Sequence, residues 1–558
     1  MSAEGLTEGK MKAAQMVDRT IERSASSGLV GWRAVRASAA LALCIAGCGT
    51  PPTNVHPGDA AAHDAHDGAH DAHDGAYDAH DGAHDDGATE PPPTPSFHKV
   101  TLDPHPGEPI GLAVLPDGRV LHTARQGTVW IHQPDGTKSV AAQLPVYSHD
   151  EEGLLGIAID PDFDANRWVY VYYSPPLDTP TDDPATVDVD EGAAPMDGLP
   201  EDFEPFAGAI RLSRFQLAGD QLDLASEQTI LEVPVDRGIC CHTAGKIDFD
   251  AAGNLYLSTG DDSYPFASDG FTPIDQRPSA NPALDAQRSA GNTNDLRGKL
   301  LRIHVAADGT YAVPDGNLFA PGLPGTRPEI YAMGLRNPYR FAVNRATGAI
   351  YLADYSPDAQ ASDPARGPVG TGKWLIVRGA ANYGWPYCVG HLAYVAYDFE
   401  TGVSGAPFDC DHPRNQSPRN TGLVDLPPVV DPELAYSYAA SADFPELGSG
   451  GVGPNAGPAY VFDPESPPAR RWPEAYAGAP LFYELTRGFI AAFHLDAAGR
   501  LASIERLPDA VSVRAPIDMA FGPDGALYVL EYGSGGYYVE NPDAQLSRIE
   551  YRLAAPGE

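Results

Sequence analysis

The chain has 558 residues, of which 42% are hydrophobic and 20% are charged. A chain of this length and composition can bury a large core. Its 76 acidic and 37 basic residues give a formal net charge of −39. Because such a surface repels other polyanions, the charge argues against nucleic acid and anionic lipid as partners.

Residues 1–48 are interpreted as an N-terminal extension followed by the signal peptide of an exported bacterial lipoprotein. Arg33 and Arg36 precede the apolar run LALCIAGC at residues 41–48, and Cys48 is the expected site of lipidation. We therefore expect an exported protein, lipid-anchored at a bacterial membrane surface or in the periplasm. A short anchor helix without lipid is the alternative.

Residues 49–96 form a linker of low complexity, rich in His, Asp and Pro. Within it, residues 63–86 repeat the pattern HDAHDG. Such a sequence cannot build an apolar core, so we expect a disordered tether. Imidazole and carboxylate groups together can also bind zinc, nickel or copper, and the two roles are compatible.

Four later stretches repeat one pattern, in which apolar residues alternate, a turn is centred on Gly, and a strand rich in Leu, Tyr and Val follows. Alternation with period two indicates half-buried strands, and the Gly residues suit tight hairpin turns. Because such a hairpin cannot bury its own apolar face, the copies must stack, which is typical of a β-propeller. The four stretches are residues 111–123, 245–262, 340–355 and 518–533.

Two further stretches, 152–174 and 479–501, resemble the same unit. The larger gaps between units approach twice a blade length of about 40–50 residues. The sequence therefore predicts an all-β fold, a six-bladed β-propeller over residues 97–553, with its function in the loops around a central channel.

Four cysteines remain after the signal, and an even number in an exported chain suggests disulfides. Cys388 and Cys410 are separated by a loop rich in Gly and Asp and are expected to close it. That pairing leaves Cys240 with Cys241, a bond between sequence neighbours that is rare. Crosswise pairing is the alternative.

Five motifs, in this order, make most of residues 97–553 resemble the glucose/sorbosone dehydrogenase family, soluble sugar dehydrogenases that use pyrroloquinoline quinone (PQQ). They are EGLLGIAIDPDF (152–163), CHTAGKIDFD with LYLSTGDD (241–262), RGKLLRIH (297–304), EIYAMGLRNPYRFAV (329–343) and ANYGWPYC (381–388). The resemblance implies a six-bladed propeller with PQQ and calcium at the mouth of the channel.

The resemblance also implies the site residues. His242 is expected to take the proton of a sugar hydroxyl while a hydride passes to the quinone, and a neutral imidazole suits this task near pH 7. Arg336 and Asn337, in the segment GLRNP, are expected to contact the cofactor, because a guanidinium group fits a carboxylate.

The chain departs from the family where basic residues should neutralise the carboxylates of PQQ. Thr486, Ala515 and Ile517 occupy those positions. Burying a polyanion without cations is costly. Three alternatives follow: other basic residues replace the lost ones, the cofactor binds differently, or no cofactor binds. The candidate substitutes are Arg487, Arg514 and Lys373.

There are two more departures: Cys241 replaces an Asp of the family beside the expected base, and Glu151 replaces a Gln before the segment GLL. A disulfide between Cys240 and Cys241 would then lie beside the cofactor, as adjacent cysteines do in some larger quinone dehydrogenases.

Calcium is the metal that the resemblance implies, and acidic loops supply the hard oxygen ligands that it prefers. The candidate ligands are Asp261 and Asp262, with Asp269 near them in sequence, and Asp354, which begins the segment aligned with the metal-binding loop of the family.

Two functions remain open. The first is an exported oxidoreductase that oxidises a sugar or related alcohol and passes electrons to a diffusible or membrane acceptor, with the lipid anchor as its only membrane contact. The second is a non-catalytic surface propeller that binds carbohydrate or protein through Trp374, Tyr383 and Trp385. Three or more Arg or Lys side chains converging near His242 would favour the enzyme.

Overall fold

The computed structural model describes residues 94–553 except 178, 180–193 and 195–197. The expected signal peptide, the lipidation site Cys48 and the His/Asp repeat lie outside the described residues, so these assignments stay predictions. Within the described part of the chain, no helix has the length and apolar character needed to cross a bilayer.

The described residues are built almost entirely from short antiparallel strands. In chain order the strands are β1 (Ser96–Asp103), β2 (Pro109–Val114), β3 (Val120–Ala124), β4 (Thr128–His132), β5 (Lys138–Gln143), β6 (Leu154–Ile159), β7 (Trp168–Tyr173), β8 (Ala207–Ala218), β9 (Gln221–Asp236), β10 (Ala244–Phe249), β11 (Asn254–Thr259), β12 (Lys299–Val305), β13 (Tyr311–Ala312), β14 (Ile330–Met333), β15 (Phe341–Val343), β16 (Ile350–Tyr355), β17 (Gly372–Val377), β18 (Ala381–Asn382), β19 (Cys388–Val389), β20 (Leu392–Ala393), β21 (Val395–Asp398), β22 (Val403–Pro407), β23 (Leu434–Tyr436), β24 (Pro454–Ala459), β25 (Pro480–Glu484), β26 (Phe489–Leu495), β27 (Leu501–Arg506), β28 (Pro516–Phe521), β29 (Leu527–Glu531) and β30 (Gln545–Arg552).

Helices in the described part of the chain are single turns. The α-helix α1 spans Phe163–Asn166, and the 3-10 helices span Pro200–Asp202, Glu204–Phe206, Phe266–Ser268, Pro282–Leu284, Ala286–Arg288, Pro445–Leu447, Glu474–Tyr476 and Asp509–Val511.

Six sheets form a closed ring, which confirms the predicted six-bladed propeller. The blades, each written from its innermost strand outward, are β2-β3-β4-β5, β6-β7-β8-β9, β10-β11-β12-β14, β15-β16-β17-β23, β24-β25-β26-β27 and β28-β29-β30-β1. Each innermost strand contacts the next around the axis, and β28 contacts β2. The ring therefore closes without a gap between its first and last blades.

The last blade is assembled from both ends of the described chain. Strand β1 pairs antiparallel with β30, so that Ser96 lies opposite Arg552 and Asp103 lies opposite Leu546. The outermost strand of this blade thus precedes the first blade in sequence, and its backbone hydrogen bonds hold the ring closed.

The predicted glycine turns connect the first and second strands of the blades. Gly118 and Gly525 have φ values of 86° and 75°, a left-handed conformation that residues with a Cβ adopt only at a cost. The fifth blade differs from expectation, because the stretch 479–501 forms its second and third strands. Its innermost strand is β24 (PNAGPA), which shows no apolar alternation.

Aromatic side chains fill the spaces between blades. The Trp374 ring stacks on Tyr351 at 5.7 Å and meets Phe493 edge-on at 4.9 Å. Tyr383 and Trp385 are buried as well. The three aromatic residues expected to contact a ligand in the non-catalytic hypothesis are therefore core residues, and that assignment was wrong.

Both disulfides connect the cysteines that lie near each other in sequence. Cys388 bonds to Cys410, and Cys240 bonds to its neighbour Cys241. The crosswise pairing is thereby excluded.

Candidate functional site

The candidate site lies at one end of the channel, where loops of several blades meet. In an antiparallel blade, the start of the innermost strand and the end of the second strand lie at the same end. His242 precedes β10 and Asp261 follows β11, whereas Arg336 and Asn337 precede β15 and Asp354 lies near the end of β16. The fold thus brings together residues that are far apart in sequence.

His242 is held by a buried carboxylate. Its Nδ1 lies 2.7 Å from Oδ1 of Asp261, and both side chains are fully buried. Trp385 Nε1 donates to Asp261 Oδ2 at 2.6 Å, and Ser263 Oγ lies 2.8 Å from the same oxygen. Among the described residues, Nε2 of His242 has no hydrogen-bond partner although it is buried. The imidazole is therefore fixed in orientation with one nitrogen unused.

The pKa of His242 is lowered from its ordinary value. Burial has the largest effect and the positive charge of Arg336 adds to it, while the negative charge of Asp261 opposes both. The ring is consequently neutral at pH 7. With Nδ1–H donated to Asp261, the lone pair of Nε2 can accept a proton.

The backbone around His242 adopts costly conformations. Cys241, His242 and Ala244 have φ values of 92°, 66° and 52°. Left-handed conformations of residues with a Cβ cost of order 1–3 kcal/mol each and cluster at functional sites. Gly260 permits this path, because a Cβ there would lie 1.6 Å from the carbonyl oxygen of His242.

Arg336 and Asn337 are positioned through their backbones. Both amide N–H groups donate to the carboxylate of Asp354, at 3.1 and 2.8 Å. The guanidinium carbon of Arg336 lies 5.6 Å from the centre of the Tyr355 ring, and Arg336 is 2% exposed. In residues 94–553, apart from the gaps given above, no carboxylate lies within ion-pair distance of this guanidinium group.

Two side chains that had no assigned role complete the site. Glu151, buried before β6, accepts a hydrogen bond from the backbone N–H of Thr243 at 3.0 Å. The hydroxyl of Tyr538 lies 4.0 Å from Sγ of Cys241, so the loop after β29 reaches the disulfide beside His242. Glu151 and Tyr538 therefore contact the residues on either side of His242.

Comparison with known proteins identifies the family. The profile described as Glucose / Sorbosone dehydrogenase matches residues 107–409, more than half of the chain. The chain belongs to this family. The glucose/sorbosone dehydrogenase match includes the segments that carry His242, Asp261, Arg336 and Asp354.

Individual relatives are distant. The aldose sugar dehydrogenase YliI of Escherichia coli is 25% identical over 293 residues, which cover 52% of this chain and 62% of that protein. Quinoprotein glucose dehydrogenase B of Acinetobacter calcoaceticus is 22% identical over 485 residues, 83% of this chain and 90% of the relative. A crystal structure titled as a glucose dehydrogenase of Thermus thermophilus shares the fold, with a TM-score of 0.50, 22% identity and coverage of 81% of this chain and all of the other.

The substitute cations expected for this glucose/sorbosone dehydrogenase family member are engaged elsewhere. Arg487 lies in the turn between β25 and β26 and donates to backbone carbonyls, including that of Gly451 at 2.7 Å. Arg514 is 67% exposed and pairs with Asp543 at 3.0 Å. Lys373 is buried against Asp354. Of the four expected cations, the structure thus brings Arg336 near His242 and gives the other three separate partners, so the predicted cations do not converge in threes on this histidine.

The three expected calcium ligands also have partners within the protein. Asp261 binds His242 and Trp385, Asp262 lies 2.7 Å from Arg297, and Asp354 pairs with Lys373. In the described part of the chain, no group of three or more His, Cys, Asp or Glu side chains converges as a metal site. The assignment of calcium to these side chains stays a prediction.

Sequence reasoning missed part of this arrangement. Asp261 was predicted as a calcium ligand, and the spacing of GDD after a strand gave no sign that its carboxylate also contacts His242. Glu151 stood out only as a departure from the family. No sequence pattern pointed to Tyr538. Its loop follows the last hairpin, and it approaches Cys241 only because the ring of blades closes.

Proposed function

We propose that this protein is a PQQ-dependent dehydrogenase that oxidises the hydroxyl-bearing carbon of a sugar or related alcohol. The family and the relatives named as sugar dehydrogenases support the reaction class. The observation that carries the proposal is the buried His242, held at Nδ1 by Asp261 and unpartnered at Nε2. A buried polar atom left without a partner typically costs about 1–3 kcal/mol, which favours a substrate or ligand group that binds Nε2.

His242 acts as the base. Its neutral Nε2 accepts the hydroxyl proton of the substrate, and the carboxylate of Asp261 stabilises the imidazolium that results. Trp385 and Ser263 hold that carboxylate in place. Burial excludes water from this pair, so the charge of Asp261 acts strongly on the ring.

The described residues fit an anionic ligand rich in carbonyl groups. The guanidinium of Arg336 has no carboxylate partner among them and can donate to such a ligand. The amide of Asn337 can also donate once its NH₂ group faces the ligand, and its buried, unpartnered Oδ1 leaves it free to reverse. We assign these two residues to hold PQQ beside His242. PQQ, when bound, supplies a quinone carbonyl that accepts hydride. Among the described residues, Arg336 is one free cation for the several carboxylates of PQQ, so the remaining carboxylates must stay in contact with solvent.

We further propose the setting of the reaction. Export and lipidation at Cys48 would place the propeller at a membrane surface, where a diffusible or membrane acceptor could remove electrons. These steps rest on the sequence of residues 1–48 alone.

The test is a titration of the purified full chain with PQQ, with and without calcium, followed by thermal unfolding and by dye reduction with a panel of sugars. We expect PQQ to raise the unfolding temperature and at least one sugar to be oxidised. His242→Gln should retain PQQ binding and lose turnover by about 10²–10⁴-fold, the usual contribution of a general base.

His494→Gln is the matched control, because His494 lies on β26 and pairs with the half-exposed Glu505. It should behave as the wild-type protein. Absence of both PQQ binding and turnover would instead favour a binding module, and full activity of His242→Gln would remove the base assignment.

A further inference from the structure

Glu151 connects three blades at the axis of the propeller. It lies in the loop before β6, the innermost strand of the second blade. Its Oε2 accepts the N–H of Thr243 from the third blade, and the side-chain Nδ2 of Asn337 from the fourth blade lies 3.4 and 3.3 Å from its two oxygens. One carboxyl group therefore contacts both the loop of the base and the loop of the proposed cofactor residues.

This carboxyl group lacks an ion pair. Glu151 is 3% exposed, and among the described residues no Lys, Arg or His nitrogen lies within 4.0 Å of its oxygens. Burying a carboxylate charge without a paired cation costs free energy, so such a group tends to retain its proton instead. The contact with Asn337 is also long for a charge-assisted hydrogen bond.

The groups facing Glu151 explain its titration. Burial raises the pKa of Glu151 to about 7. It outweighs the backbone donors of Thr243 and His242, the amide of Asn337 and the positive charge of Arg336, all of which lower the pKa.

Tyr339 and Tyr538 also face the carboxyl group, and its charge helps to raise the pKa of both phenols. They remain neutral near pH 7, as does the buried imidazole of His242. Glu151 is thus the group in this cluster that changes charge near neutral pH.

The amide of Asn337 is incompletely satisfied. Its Oδ1 is buried and has no partner in the described part of the chain. The oxygen and nitrogen of an amide are nearly equivalent in shape, so a half-turn of the group exchanges them at little steric cost. A protonated Glu151 has an O–H to donate and requires an acceptor, which the reversed amide provides.

We infer that Glu151 is a positioning residue: its protonation sets which end of the Asn337 amide is offered to a ligand between Arg336 and His242. When Glu151 is ionised, the NH₂ group donates to it and the oxygen faces the ligand. When Glu151 is protonated, its O–H donates to the amide oxygen and the NH₂ group is offered. A ligand with carbonyl or carboxylate acceptors selects the protonated form. That ligand is PQQ if the proposed function holds.

The experiment measures the dissociation constant of PQQ with the purified full chain between pH 6 and 8.5. If binding takes up one proton, affinity falls up to tenfold per pH unit above the pKa of Glu151. Glu151→Gln carries an amide that can donate to the Asn337 oxygen, so its affinity should stay near the wild-type value at pH 6 and change little with pH. The same substitution at the half-exposed Glu505 is the control and should keep the wild-type slope.

A second variant identifies the element that transmits the effect. Asn337→Ala should weaken PQQ binding at every pH and abolish the slope, because the rotating amide is gone. An unchanged slope in either Glu151→Gln or Asn337→Ala would overturn the inference.

Thermal unfolding of the unliganded protein separates this inference from the proposed function. Because the folded pKa of Glu151 is raised, the wild-type protein loses stability as pH rises from 4.5 to about 7. The unfolding temperature of Glu151→Gln should therefore rise relative to wild type across this range. If no variant binds PQQ, the proposed function fails, and parallel unfolding profiles would then overturn the role of Glu151 as well.

Discussion

The ammonium group of Lys373 lies 2.6 Å from Oδ2 of Asp354, and both side chains are buried. The same carboxylate accepts the backbone N–H groups of Arg336 and Asn337. Lys373 therefore neutralises the residue that shapes the loop before β15. It acts on the site through this loop, whereas sequence reasoning had considered it as a direct substitute for a lost cation.

Lys373→Met should strongly destabilise the protein. The substitution leaves the Asp354 carboxylate buried without its cation, a change that typically costs about 3–5 kcal/mol. Denaturant unfolding monitored by tryptophan fluorescence measures the loss. The double variant Lys373→Met with Asp354→Asn should recover part of it, because the uncompensated charge is removed. A loss below about 1 kcal/mol in the single variant would mean that solvent reaches this pair.

Asp261→Asn should impair turnover far more than PQQ binding. The amide can hold His242 only in the wrong tautomer and cannot stabilise the imidazolium, so we expect kcat to fall by about 10²–10⁴-fold. Because Asp261 raises the pKa of His242 against burial, its loss should also move the acid limb of any residual activity to lower pH. Steady-state dye reduction across pH tests both points. Ser263→Ala, which leaves the carboxylate in place, should have a much smaller effect.

The two disulfides should differ in what their removal changes. Cys388 and Cys410 are 22 residues apart, and replacing both with Ser should cost about 3 kcal/mol by freeing that loop in the unfolded state.

Cys240 and Cys241 enclose no loop, but they are adjacent to His242 and contact the Tyr538 loop. Their double Ser variant should weaken PQQ binding and turnover with little loss of stability. Denaturant unfolding and PQQ titration of the two double variants test this difference. Equal losses of PQQ affinity in both variants would contradict the prediction.

A buried histidine pair should make the fold sensitive to acid. His122 Nδ1 lies 2.8 Å from His132 Nε2, and burial lowers their pKa values from 6.5 to about 3 and about 4. The charge of Lys138 contributes to both decreases, and Asp103 opposes it.

Below pH 6.5 the unfolded chain binds protons that the folded pair excludes, so stability falls as pH falls, by about 1.4 kcal/mol per pH unit for each histidine. His122→Gln should reduce the slope between pH 6.5 and 4.5 in denaturant unfolding. His494→Gln should leave the slope unchanged, and identical slopes in all three proteins would rule out the pair as its source.

The propeller could be predicted because each hairpin is determined by residues that are close together in the sequence. Around Gly118 and Gly525, alternation and turn residues lie within one short window. Strand β24 shows why such reasoning has limits: Pro454, Gly457 and Pro458 disfavour a strand, and its neighbours β25 and β15 determine its conformation. Its identity as an innermost strand follows from ring closure.

Only the site residues that lie within motifs of the family could be predicted from the sequence. His242 and Arg336 were predicted from short motifs shared with the family, and the fold brings the charge of Arg336 close enough to act on His242. The guanidinium of Arg487 binds carbonyl oxygens in the loop at residues 447–451, and no sequence pattern reveals which backbone atoms an arginine will meet. The same limit applies to Glu151, whose partners come from two other blades.

The pairing of β1 with β30 has a consequence for biogenesis. The ribosome synthesises β1 before the first blade and β30 after the other strands of the propeller. Strand β1 therefore lacks its pairing partner until β30 has been synthesised. A nascent chain stopped short of β30 would present this unpaired strand to other chains, with the associated hazard of intermolecular sheet extension. Correct maturation therefore depends on β30, the last of the propeller strands to be synthesised.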